Sequence, residues 1–536
     1  MRKIFSTITL LVLLLASCQK SQDQNPCKNK VLRIAFMHMP FNVDPRRTGE
    51  PVSSTMVFMT FEGLMHLESD GSISKALAQS IDISDDQKTY TFHLKEAKWT
   101  DGMPITAYDF EYSWKTMLDP NFPSVCPYLF YSIQGAEKAK KGEISTEEVG
   151  IKALDERTLE VKLQNPTPYF LDLTGFCAFF PVPKHIDQAN PNWFKNPGPE
   201  MVCSGPFKIH KWQHGDEIKV VRNADFWEAE TVILNGIHIS IINEQATTLQ
   251  MFEQGKIDWV GNLLTPLSLD ALSSLHKAGK IQSFPAGNTI FVSYNVHSKP
   301  FDNLNIRKAF STAIDRKAIT DHITQLSELP ATQVIPPVLT KNKILDLIPT
   351  KPKIEEAQNL FQQGLSEMGI TAAEIPPIKL MFPADEVYKR VGESLQQQWS
   401  QAFGIQIESD YCEMKVFFDR LQLRDYQLAE AVWWAQYADP MNILERFRYG
   451  NGNKNYPGWE NETYLSLIDQ VETAKDPVVR LELIRAAEKV IVDQVPLAPV
   501  YHFNSNCLSQ PYVAGVEISP ISHMQFRRTY FIDDES

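Results

Sequence analysis

Long apolar runs are nearly missing from this chain of 536 residues. After the stretch from Ile4 to Leu15 no segment approaches the ~20 apolar residues that a membrane helix needs, which excludes a polytopic membrane protein. Basic charge is scarce as well: Lys and Arg number 52 against 65 Asp and Glu, for a net charge of -13. No Arg/Lys stripe interleaves with aromatics, so a nucleic-acid partner is not expected. The cysteines stand far apart, as Cys18, Cys27, Cys126, Cys177, Cys203, Cys412 and Cys507. Without a C-x-x-C pair they offer neither a zinc knuckle nor a dithiol redox centre. Also missing are H-E-x-x-H, a Walker phosphate loop, a G-x-S-x-G elbow and a G-x-G-x-x-G that opens a helix after a strand. Gly450-Asn451-Gly452 reads as a polar loop and Asp85-Asp86 as a solvated turn. The histidines are scattered singly, as structural side chains usually are, and no metal or cofactor is expected. The chain is not expected to be an enzyme.

What is present begins with a secretion signal: Arg2 and Lys3 precede the apolar run, which is too short to span a bilayer. Leu15-Ala16-Ser17-Cys18 looks like a bacterial lipobox, with an ordinary signal peptide and an incidental cysteine as the alternative. A signal peptide over residues 1–17 and a lipidated tether over 18–29 are therefore expected, with Cys18 as the modified residue. Acyl carbons at ~0.8 kcal/mol per buried methylene would hold the chain to a membrane. An even number of further cysteines in an exported protein permits disulfides without fixing any pairing. The remaining length exceeds what one core fills, so two or three domains are expected.

Local signals are strong from Phe61 to Pro120. Tyr90, Phe92 and Leu94 alternate with Thr91, His93 and Lys95, the period of a half-buried strand. Asp101-Gly102 makes a turn. Thr106 and Asp109 form a variant capping box, behind which Phe110, Trp114, Met117 and Leu118 share one helical face until Asp119-Pro120. Alternation predicts strands over Thr158 to Leu163 and Ile218 to Arg222. Helical periodicity covers Ile354 to Met368, Val387 to Phe403 and Leu481 to Val492. Strands and helices interleave throughout, which argues for mixed α/β domains.

The wording of these segments carries a family resemblance. FEGL, SDD-x-x-TYTFHL, AKW-x-DG-x-P-x-TA-x-DF-x-YSW, then GIKALDERTLEVKLQNPTPYFLDL from Gly150, PVPKH from Pro181 and SGPFKIHKWQHGDEIKVVRNADFWEA from Ser204 follow one another. FDNLNIRKAFSTAIDR from Phe301, AVWWAQYADPMNILERF from Ala431 and PLAPVYHF from Pro496 complete a series running over nearly the whole mature chain. It resembles the extracellular solute-binding family that serves peptide-type ABC importers, its oligopeptide-binding members above all. The resemblance implies an α/β, two-lobed periplasmic-binding-protein-like fold of the class II type, with an extra subdomain inserted in the first lobe. Mapped here, lobe I spans 30–50, 185–279 and 504–536, the insert 51–184, and lobe II 280–503. It also implies a lipid-anchored, monomeric receptor of the periplasm or cell envelope that hands oligopeptides to the transmembrane subunits of an ABC importer. The alternatives are a same-fold receptor for a modified peptide or for a metal chelate, haem or sugar, and, from another class, a secreted hydrolase. Some relatives join the places of Asn288 and Trp434 by a disulfide; neither is a cysteine here, and no bond is expected there.

A receptor for many peptides must grip the backbone and the charged ends, and strand addition does the first. The resemblance places the ligand between Met39-Pro40-Phe41 and Trp433-Trp434-Ala435. Alternation there predicts one tryptophan turned inward and the other to the cleft. Tyr128, Tyr131 and Tyr294 map to cleft aromatics, with core packing as an equal alternative. Members of this type place an aspartate in an A-D-Y sequence to meet the ligand's ammonium, but this chain reads Ala435-Gln436-Tyr437. A buried ammonium without its counter-charge loses ~3–5 kcal/mol unless another acid serves. Asp439 is the first candidate, Glu413 and Glu430 the next. Glu430 also stands where some relatives carry an arginine for the ligand carboxylate; Arg420 and Arg424 are near enough in sequence to substitute, or else belong to a solvated helix face. A short or modified peptide, γ-linked or derived from cell wall, fits these departures.

Overall fold

Two strands of 13 residues, Gln282–Tyr294 and Leu497–Ser509, lie antiparallel at the middle of an 11-stranded sheet. The computed structural model describes residues 29–532 apart from 262, 341–343 and 453. The expected signal peptide, Cys18 and nearly all of the tether therefore lie outside the described residues. On one side of the central pair the sheet continues through Leu428–Trp433, Ile378–Pro383 and Ile407–Cys412. On the other it continues through Trp259–Gly261, Val31–Phe36, Gly236–Ile241, Glu217–Arg222 and Phe207–Gln213. The long pair thus crosses between two lobes and belongs to both, which makes this a two-lobed, class II type α/β fold.

The crossover strands lose register between Pro285 and Thr289. Gly287 sits in that break, its N–H donating to Pro520 O at 2.6 Å. A Cβ on it would come within 3.0 Å of Ala435 Cβ and of Leu339 Cδ2, so any larger residue would have to push three closely packed segments apart by a few tenths of an ångström.

Lobe II has its own core, in which Val292, Phe310, Phe382, Leu395 and Trp399 are buried together. The insert is built on an antiparallel sheet of Ala78–Ile83, Thr89–Leu94, Thr158–Lys162 and Ile151–Asp155. The helix Ala107–Met117 covers it, opened by the expected capping box in which Thr106 N–H donates to Asp109 at 2.8 Å. Phe110 and Trp114 are buried below it, and Trp114 Nε1 donates to Phe179 O at 2.7 Å.

The helix Ile354–Met368 has the bounds its periodicity predicts, and the next, Glu386–Phe403, gains one residue under an Asp385 cap. The last, Pro477–Gln494, starts a full turn before its apolar periodicity. Asp476 caps it and Pro477 opens it, whereas Val478 and Val479 remain 67% and 49% exposed and so break the pattern. Among the described residues no helix is long and apolar enough to cross a membrane.

Candidate functional site

Leu428–Trp433 is buried along its whole length, and its side chains alternate between two cores. Leu428 and Val432 point into the lobe II core, whereas Ala429, Ala431 and Trp433 face the other way. Glu430 shares the first face and approaches the helix Glu386–Phe403, where its Oε2 would lie 3.3 Å from a Cβ on Gly392. Neither of its oxygens has a hydrogen-bond partner among the described residues. Burial, with Asp385 adding, pushes its carboxyl well above the usual carboxylate range. The expectation that Glu430 meets a ligand is corrected: period-two geometry turns it into the lobe, away from Trp433. Tyr294 takes the core-packing alternative, since it is fully buried in that core with its ring 5.5 Å from Phe301.

The two tryptophans diverge, as alternation predicts. Trp433 is 1% exposed and packs on Phe291 at 4.2 Å and Phe447 at 5.3 Å, so its expected contact with ligand is replaced by a place in the core. Trp434 is 38% exposed, edge-on to Phe503 at 5.7 Å. Beyond them Ala435 N–H donates to Asn288 Oδ1 at 3.1 Å, tying the segment to the crossover strand Gln282–Tyr294.

The next residues reach the insert. Gln436 Nε2 donates to the Tyr128 hydroxyl, and its Oε1 accepts from Lys454 Nζ at 3.4 Å. The same ammonium lies 3.7 Å over the Tyr128 ring. Tyr437 stacks on Tyr169 with ring centroids 4.8 Å apart. Burial pushes Lys454 down to about 8, with Arg446 assisting, and pushes Glu445 up to about 7. The junction therefore brings together Gln436, Tyr128 and Lys454, and only the first two were expected. No local pattern marks Lys454, which follows a polar loop.

The candidate counter-charges are spent elsewhere. Asp439 receives both terminal nitrogens of Arg480, at 2.9 and 2.8 Å, and caps Met441 N–H at 2.9 Å, so it is corrected as the acid for a ligand ammonium. Glu413 caps the helix Met414–Leu423, accepting from Lys415 N at 3.0 Å. Arg420 pairs with Asp410 at 2.9 Å and Asp425 at 3.0 Å, and Arg424 donates to the carbonyls of Gly450 and Asn455.

In lobe I, Met39 is half-buried, while Phe41 is 75% exposed and stacks on His38 with centroids 4.6 Å apart. Phe41 N–H donates to Ser53 Oγ at 2.9 Å, which holds the loop to the helix Pro51–Thr60. Tyr131 is half-buried against the insert core.

The family described as bacterial extracellular solute-binding proteins, family 5 Middle, matches residues 72–455. The oligopeptide-binding protein of Bacillus subtilis strain 168 is 35% identical over 546 residues, covering 99% of this chain and 100% of the relative. A dipeptide-binding protein of the same organism is 32% identical over 504 residues, covering 93% and 91%. The crystal structure of a periplasmic oligopeptide-binding protein from Borrelia burgdorferi matches with a TM-score of 0.78 at 27% identity, over 94% of this chain and 100% of that one.

Proposed function

Because the chain belongs to the bacterial extracellular solute-binding proteins of family 5, we propose that it captures oligopeptides outside the cytoplasmic membrane and delivers them to an ABC importer. One observation carries this reading, the end-to-end likeness to a relative named for oligopeptide binding. Family 5 proteins are transport receptors, and no catalytic step is assigned to this one. Anchoring through a lipid on Cys18, a place in the periplasm or cell envelope and a monomeric state belong to the same proposal, as do the lobe and insert boundaries given above.

The peptide would lie as an added strand between Met39-Pro40-Phe41 and the segment Trp434 to Gln436, with Tyr128 and Tyr131 on the insert's side. Enclosure by the lobes strengthens each main-chain hydrogen bond by excluding water. Trp433 supports the segment from behind. The Lys454 ammonium beside Gln436 repels a free ligand ammonium, so peptides with a blocked or otherwise uncharged amino end are the preferred ligands.

Titration calorimetry with a pool of di- to pentapeptides, each with a free or an acetylated amino end, tests the reading. Binding of pool members with preference for the acetylated set is expected. A protein that ignores every peptide and binds a metal chelate, haem or sugar tightly would reject the peptide assignment in favour of the alternative solute.

A further inference from the structure

Away from the lobe junction, two short hairpins meet. Met65–Leu67 pairs with Ile73–Lys75 in the insert, and Glu517–Ile518 pairs with Met524–Gln525 near the C-terminus. His66 is 5% exposed and its Nε2 has no hydrogen-bond partner among the described residues. That nitrogen lies 3.9 Å from Glu68 Oε2 and 3.9 Å from Glu517 Oε2. Glu517 Oε2 is also without a partner among the described residues, and the three ligand atoms all lie within 4.8 Å of one another.

A separation of 3.9 Å is too long for a hydrogen bond. It is about 0.6 Å more than the ~3.3 Å between two ligands bound tetrahedrally at ~2.0–2.1 Å to one zinc ion. Side-chain rotations that draw the imidazole and each carboxylate together by that much, and the two carboxylate oxygens together by up to about 1.5 Å, would complete the set. We propose that His66, Glu68 and Glu517 bind a divalent transition-metal cation, with Zn2+ as the best match, and that the cation clasps the insert to the C-terminal segment.

The donor set sets the metal's class. One imidazole with two carboxylates suits Zn2+ or Co2+, whereas Mg2+ and Ca2+ prefer oxygen alone and Cu(I) prefers sulfur. His66 Nε2, buried and without a hydrogen-bond partner among the described residues, has a lone pair to give in the tautomer that carries its proton on Nδ1. Arg528 is the competitor, its Nη1 donating to Glu68 Oε2 at 2.6 Å and Glu517 Oε1 at 2.8 Å. Its side chain is 42% exposed and can swing outward. One guanidinium against two carboxylates leaves a negative charge for the metal to meet. Arg527 is itself held by Glu62 at 3.2 Å and Glu228 at 3.6 Å.

The test uses the mature protein stripped with a chelator and then given Zn2+, Co2+ or Mg2+. Zn2+ should raise the melting temperature, Co2+ should give the visible absorption of a low-coordinate N/O site, and Mg2+ should do neither. His66→Ala and Glu517→Gln should each abolish both effects and leave peptide titration unchanged. Arg528→Gln should tighten Zn2+ binding about tenfold by removing the competing cation. A cluster that is only structural would be loosened by this change and gain no affinity. No Zn2+ effect in the wild type, an undiminished effect in His66→Ala, or an unchanged Zn2+ affinity in Arg528→Gln overturns the proposal.

Discussion

Gln436 and Lys454 hold each other at 3.4 Å, and this one contact changes what a substitution at the site would do. Restoring an aspartate at 436 would set a carboxylate beside the ammonium, and the two would pair before any ligand arrived. Gln436→Asp alone should therefore raise affinity for free-amine peptides by less than about tenfold. Adding Lys454→Met frees the carboxylate, and the double variant should gain roughly a hundredfold, within the ~3–5 kcal/mol at stake in a buried charge pair. Titration with a free-amine tripeptide would measure both; equal gains from the single and double variants would remove Lys454 from the account. The Asp439–Arg480 pair teaches the same lesson from the other side. An acid near a site in sequence is no counter-charge once an arginine 41 residues away has claimed both its oxygens.

Among elements, the helix Pro477–Gln494 carries a buried acid with a specific task. Glu488 Oε1 accepts from Val334 N–H at 2.8 Å and Ile335 N–H at 2.7 Å, tying the helix to an irregular segment of lobe II. Burial pushes its carboxyl up from 4.5 to about 7. The folded state thus binds this proton more tightly than the unfolded state does. Its contribution is full below about pH 4.5 and is lost as pH rises through about 7. Glu488→Gln keeps the acceptor and removes the charge. The variant's stability relative to wild type should therefore grow between about pH 4.5 and pH 7, by at most roughly 3 kcal/mol. Denaturant melts at several pH values would show this, and a constant difference across the range would mean that Glu488 does not titrate there. The helix was visible in the sequence from Leu481 onward because its buried positions recur with helical period. Its first turn was not, because the exposed valines at 478 and 479 break that period.

For the whole molecule the decisive arrangement is a pair of lobes that share two long strands and touch again through the insert. Tyr169 on Tyr437, and Tyr128 with Gln436 and Lys454, form that second contact. A receptor that encloses its ligand should compact on binding, so small-angle scattering should show a smaller radius of gyration with peptide. Tyr169→Ala removes a stacked pair worth about 1 kcal/mol and should require about fivefold more peptide for the same compaction. Identical titrations for variant and wild type would dismiss this stack as part of the closed state.

The chain's words alone were enough for the family, the two lobes and the elements with local signatures, such as the capped helix after Thr106 and the alternating strand after Lys88. Those features depend on residues a few positions apart, where hydrogen bonding and side-chain period act directly on the backbone. The same alternation foresaw that Trp433 and Trp434 would part, but not which would face a core, because that depends on which neighbour lies across the sheet. Folding alone decided that Glu430 and Tyr294 belong to the lobe II core, that Asp439 is spent on Arg480, that Lys454 stands beside Gln436, and that His66 meets Glu517. Charge pairing and burial are set by distance in space, and no pattern along one chain records the partner that a distant turn brings near.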